Sequence, residues 1–105
     1  MAAGKKRDDH QGLMQALRHP LRKDLLRLVI ERGDLSPIGA ARELERPVST
    51  VNYHLRELAK EGAVALEADK PDEGPLERVY VADGAVRGLS SVREAIGLPP
   101  EGEGA

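Results

Sequence analysis

The chain has 105 residues and a formal charge of −2, with no cysteine, tryptophan or phenylalanine and only two tyrosines. That length makes one small domain with a single core, and the missing cysteines exclude disulfides, thiolate metal sites and cysteine nucleophiles. The scarcity of aromatic rings disfavours single-strand binding by base stacking.

No apolar run approaches the roughly 20 residues that span a bilayer. The basic N-terminal stretch MAAGKKRDDHQG is not followed by the apolar segment of a secretory signal. A cytoplasmic protein without membrane contact is therefore expected. The charge is unevenly spread. Residues 1–60 carry 12 Lys and Arg against 8 Asp and Glu, a net of +4, whereas residues 61–105 carry 4 against 10, a net of −6. A basic half beside an acidic remainder is the asymmetry that suits a phosphate-facing surface.

Residues 1–10 read as a disordered arm, 11–96 as one domain and 97–105, rich in Gly, Pro and Glu, as a disordered tail. Leu13, Met14 and Leu17 suggest a first short helix that ends at the His19-Pro20 step, because the residue before proline is pushed out of the helical region. Pro20 suits the first turn of a second helix. Leu21, Leu25, Leu28 and Val29 form its inner face, widened by Leu26 and Ile30, and Gly33 stops it. Ser36 followed by Pro37 signals a third helix with a capping hydroxyl, its inner face made of Ile38, Ala41 and Leu44. Pro47 opens a fourth, spanning residues 48–61, with Val51, Leu55 and Leu58 at i, i+4 and i+7 and Gly62 as its stop.

Beyond Gly62 the period changes to two. Val64 and Leu66 share a face in AVALEA, Val79 and Val81 alternate in RVYVA, and the turn-rich DKPDEGPLE between them makes a hairpin with a projecting loop. A last helix follows from about Gly84 to Ile96, with Val86, Leu89, Val92 and Ile96 at helical spacing and Asp83 or Ser90 as candidate caps. The fold class expected is mostly α with a small β-hairpin, in the order α-α-α-α-β-β-α of a winged helix-turn-helix.

The fourth helix carries the chemistry. With Val51, Leu55 and Leu58 turned inward, Ser49, Asn52, Tyr53 and Arg56 occupy the opposite face at spacings of three and four. Such a helix is shaped for a DNA major groove, where Asn pairs with adenine, Arg with guanine or phosphate, and hydroxyls with either. The competing reading is a plain solvated face, which suits Glu57 and Lys60. His19, at a helix end, is placed to bond free carbonyls. No two histidines share ligand spacing, and there is no Gly-rich phosphate loop, nucleophile elbow or spaced carboxylate pair, so neither an enzyme nor a metal or other cofactor is expected.

ALRHPLRKDLLRLV, SPIGAAREL, VSTVNYHLRELAKEGAV and ERVYVAD, in this order, resemble the ArsR-like family of bacterial transcriptional regulators over Leu13 to Asp83. The most specific pieces are His19 to Arg22 and Tyr53 to Leu58, followed by Glu61-Gly62. The resemblance implies DNA-contacting positions at Ser49, Thr50, Asn52 and Tyr53, with Arg56 one turn on; His54 matches a histidine common in the family and is assigned a structural or phosphate-contacting role. Arg46 before the helix and Lys70 in the hairpin loop add cationic contacts. The resemblance also implies a homodimer joined by its terminal helices, here Leu13, Met14, Leu17, Val86, Leu89, Val92 and Ile96, although the same residues can cover the domain's own core. Metal-sensing relatives use Cys or His/Asp sets that this chain lacks. The hairpin departs from the pattern: Asp69, Asp72, Glu73 and Glu77 oppose Lys70 and Arg78, so its tip should be repelled by phosphate. The function expected is a sequence-specific regulator of transcription, a repressor bound to double-stranded DNA. The alternative is a winged-helix protein-interaction or assembly module with weak or no specific DNA binding.

Overall fold

The structure, a computed structural model, describes residues 11–67, 74 and 76–101. The expected arm, the hairpin tip and residues 102–105 lie outside the described residues. Helix α1 covers residues 11–16 of what is described, followed by α2 (Pro20–Arg32), α3 (Pro37–Leu44), α4 (Val48–Lys60), β1 (Val64–Leu66), β2 (Tyr80–Ala82), α5 (Gly84–Gly88) and α6 (Ser90–Ile96). This is the mostly α architecture with a small antiparallel hairpin that the sequence pattern predicts. Among the described residues no helix is long and apolar enough to cross a membrane.

Proline sets the first boundary. His19 is extended (φ −79°, ψ 120°) and Pro20 opens α2, as the clash between a proline ring and its predecessor requires. Leu21, Leu25, Leu26, Val29 and Ile30 are buried along α2, while Leu28 is only half-buried. Gly33 ends the helix at φ 90°, a backbone state that costs glycine little, and its N–H returns to the Val29 carbonyl. The Ser36 hydroxyl then accepts the Gly39 N–H at 3.0 Å, the expected cap of α3.

Two details of the inner faces differ from expectation. In α3 the deepest residues are Pro37 and Ala40, with Ala41 and Leu44 continuing the stripe at partial burial. Ile38 lies about 100° round the helix from Pro37 and is half-buried, with its N–H bonded to the Leu76 carbonyl at 3.2 Å. In the hairpin, Val64 pairs with Ala82 and Leu66 with Tyr80. Cross-strand partners share a face, so Tyr80 and Ala82 join Val64 and Leu66, and Val79 and Val81 turn to the other side. A shift of one residue reverses a strand, and here burial of the Tyr80 ring decides it. Tyr80 also exchanges two backbone hydrogen bonds with Leu35, at 2.9 and 3.0 Å, an isolated antiparallel bridge beside the two-stranded sheet that the sequence pattern did not reveal.

The last helix is broken where one continuous helix was expected. The Asp83 carboxylate accepts the N–H groups of Ala85 and Val86, both at 3.0 Å, and so starts α5. Gly88, a poor helix former, is followed by Leu89 in extended geometry (φ −68°, ψ 124°), after which Ser90 opens α6. The Arg93 guanidinium donates to the Arg87 carbonyl across the break at 3.0 Å. Of the two candidate caps, Asp83 caps α5, whereas α6 has Leu89 at its N-cap with no side-chain capping bond and Ser90 as its first residue.

The core lies among α2, α4, α6 and the hairpin. Leu17, Leu25, Leu26, Val29, Val51, Leu55, Leu58 and Val92 are its most deeply buried side chains. Truncating any of these leucines to alanine should cost about 2–5 kcal/mol.

Candidate nucleic-acid interface

The two central helices meet through a sharp turn. Glu45 takes a left-handed conformation (φ 54°, ψ 50°), with its N–H returned to the Ala41 carbonyl. The next N–H, of Arg46, reaches the same carbonyl at 3.1 Å. Pro47 then directs the chain into α4. The missing bulk of fully buried Ala40 lets α3 and α4 pack against each other.

That packing orients α4. Val51, Leu55 and Leu58 are buried as expected. Ser49, Tyr53 and Arg56 are exposed and Thr50 and Asn52 half-buried; Tyr53 shows 54% of its surface. Ser49, Asn52, Tyr53 and Arg56 are therefore gathered on a single accessible side. Arg46 is exposed beside them in sequence. Neither Arg46 nor Arg56 has an ion pair among the described residues. Lys70, Asp69, Asp72 and Glu73 lie outside the described residues.

His54 does not share the accessible face. It is 6% exposed, and its Nδ1 accepts a hydrogen bond from Arg22 Nε at 3.0 Å. The His19 ring lies 4.3 Å away, tilted by 48°, and the Tyr53 ring meets it edge-on at 5.0 Å. Burial lowers the His54 pKa from its ordinary value, helped by the positive fields of His19, Arg22 and Arg46 and opposed by Glu57. His54 is thus a neutral brace between α4 and the start of α2. His19 makes no side-chain capping bond at that start; its ring packs on His54 instead. The two most specific pieces of sequence, His19 to Arg22 and Tyr53 to Leu58, meet in space at this contact.

The seven apolar residues assigned to a dimer contact separate into two groups. Leu13, Leu17, Val92 and Ile96 belong to the core of the chain itself. Met14 and Val86 are half-buried against that core, and Leu89, at the break between α5 and α6, is 36% exposed. Burial of Val92 and Ile96 accompanies the packing of α6 on α2, a long-range pairing that helical periodicity alone does not distinguish from an outward apolar face.

One group at the site was not singled out as such from the sequence. Asn52 and Arg56 of α4, Leu66 of β1, and Arg78 and Tyr80 from the second arm of the hairpin line a cleft of about 190 Å³. Leu66 keeps 45% of its surface exposed there. The Tyr80 phenol is pushed up from its ordinary value by burial, with the charge of Arg56 acting in the other direction. It therefore stays protonated at neutral pH. Only the register of the hairpin shows that positions 66, 78 and 80 meet α4. Among the described residues no group of three or more His, Asp or Glu side chains is placed to hold a metal ion.

Residues 17–67 match the helix-turn-helix domain family. A search of the curated proteins finds no match. Among solved structures, reduced HlyU from Vibrio cholerae N16961 superposes with a TM-score of 0.64 at 19% identity, over 91% of this chain and 90% of that one. AbfR in its disulfide form superposes with a TM-score of 0.61, also at 19% identity, over 95% of this chain and 72% of that one. With α3 and α4 as the helix-turn-helix and β1–β2 as the wing, the chain has a winged helix-turn-helix fold similar to that of HlyU and AbfR.

Proposed function

We propose that this chain is a sequence-specific DNA-binding transcriptional regulator, an ArsR-like repressor that inserts α4 into the major groove of double-stranded DNA. One observation carries the reading: α4 buries Val51, His54, Leu55 and Leu58 and leaves Ser49, Asn52, Tyr53 and Arg56 together on its accessible side. Amide, hydroxyl and guanidinium groups are the chemistry that reads base edges and phosphates. A homodimer fits this role because two recognition helices double the contacts made by one. HlyU and AbfR were characterised in reduced and disulfide forms respectively; these 105 residues contain no cysteine.

The test is a binding isotherm on a duplex recovered by selection, comparing the wild type with Asn52→Ala and, as a remote control, exposed Glu94→Gln. Loss of a bidentate base contact at Asn52 should weaken binding by about 1–3 kcal/mol and relax preference at one base position, while the control binds as the wild type does. Identical isotherms for a folded Asn52→Ala variant would remove α4 from the reading surface.

A further inference from the structure

We propose that Arg22 is a proton-operated latch on α4, holding the helix for DNA through His54 at neutral pH. When His54 takes up a proton, Arg22 crosses to Glu61 and binding weakens. The inference rests on the DNA-binding reading above and gives that surface a means of regulation. Arg22 stands in the first turn of α2, and its Nε donates to His54 Nδ1 at 3.0 Å. With Nδ1 accepting, the neutral ring carries its own proton on Nε2. His54 lies at the middle of α4, flanked by half-buried Asn52 and exposed Tyr53 and Arg56, so its tie to α2 steadies the part of the helix offered to the groove. Arg22 also lines a recess of about 250 Å³, whose other walls are Gly12, Gln15 and Ala16 of α1 and Glu61 at the end of α4. The Glu61 carboxylate lies against Gly12, where an added Cβ would displace it. Among the described residues, Arg22 and Glu61 share this recess without forming an ion pair. One guanidinium thus borders two acceptors, an imidazole nitrogen and a carboxylate.

A proton taken from solvent onto Nδ1 removes the first acceptor and sets a ring N–H against the Arg22 N–H. The new charge meets cationic groups from the elements packed on it: His19 and Arg22 at the start of α2, and Arg46 from the turn before α4. The Tyr53 ring lies edge-on beside it, and Glu57 of α4 opposes the cations but is itself paired with Lys60 at 3.1 Å. His54, 6% exposed in the packed helix, has little room to move. The half-buried Arg22 is the mobile member, and at Glu61 it exchanges a lost neutral acceptor for a charge-assisted bond. Protonation therefore costs α4 its tie to α2, and the population with the helix set for DNA shrinks.

Duplex affinity measured from pH 8 to pH 5 at constant salt tests this, with the full chain and a selected duplex, beside the titration of the His54 ring followed by NMR. The wild type should bind evenly above the His54 midpoint and lose about tenfold per pH unit below it, since one proton is taken up. Its helical circular dichroism should be retained through that fall. His54→Gln, whose side-chain carbonyl can still accept from Arg22 but does not titrate, should lack the fall. Glu61→Gln, which removes the second position of the latch, should move it to lower pH. A wild-type profile parallel to that of His54→Gln would overturn the latch, as would a fall that tracks loss of helix or a midpoint away from the His54 titration. A Glu61→Gln profile identical to that of the wild type would overturn it too, and this comparison decides if His54→Gln does not fold. A wild type that binds no duplex at pH 8 would instead remove the DNA-binding reading itself.

Discussion

His54 shows how a single residue is claimed by the interior. It sits next to the exposed Tyr53 in sequence, but one helical step turns it onto Arg22 and His19. Its pKa is lowered in the folded chain from 6.5, so between the two values the unfolded chain binds the extra proton. The stability this contributes is complete above pH 6.5 and is lost as the pH falls from there through the depressed folded value. Protonation would also turn Nδ1 from an acceptor into a second donor facing Arg22 Nε. Urea denaturation between pH 8 and pH 5 should therefore show the wild type losing stability more steeply than His54→Gln; parallel profiles would contradict the brace. Glu45 supplies a second test. A side chain at φ 54° carries steric strain of about 1 kcal/mol that glycine avoids, against a similar entropic cost. Glu45→Gly should be neutral or stabilising by up to about 1 kcal/mol, whereas β-branched Glu45→Val should destabilise by more than about 1 kcal/mol. The reverse order in chemical denaturation would mean that the turn is built differently.

At the scale of elements, what was legible in the sequence follows the range of the forces involved. Helix boundaries at Pro20, Gly33, Ser36 and Gly62 were readable because proline, glycine and capping hydroxyls act within a few residues. The inner stripe of α4 was readable because Val51, Leu55 and Leu58 repeat at 3.6. The inward face of β2 was not, since Tyr80 and Val81 are both good strand residues and only pairing with β1 and Leu35 decides between them. Nor was the break at Leu89, where apolar spacing runs on across the gap. That break separates two roles. Val92, fully buried, should not tolerate Val92→Glu, which strands a charge in the core and should unfold the domain. Leu89→Glu should change stability by no more than about 0.5 kcal/mol, and if Leu89 contributes to a contact between copies it should yield monomers in sedimentation. A folded Val92→Glu variant by circular dichroism would contradict the position given to α6.

For the whole molecule, the net charge of −2 gives a poor guide to a DNA-facing surface, because local placement matters within a Debye length of about 10 Å. Arg46, Arg56 and Arg78 lie on or beside α4 and the base of the hairpin, while the acidic excess is concentrated after residue 60. The proposed homodimer would set two α4 helices on one face of DNA, with half-sites about one helical turn apart. The most direct measurement is selection of bound duplexes from a random DNA library with the purified chain, followed by sequencing. An enriched inverted repeat with half-sites centred about 10–11 base pairs apart is expected, lost with Asn52→Ala. A library that emerges without any enriched sequence, although the chain is folded, would contradict it.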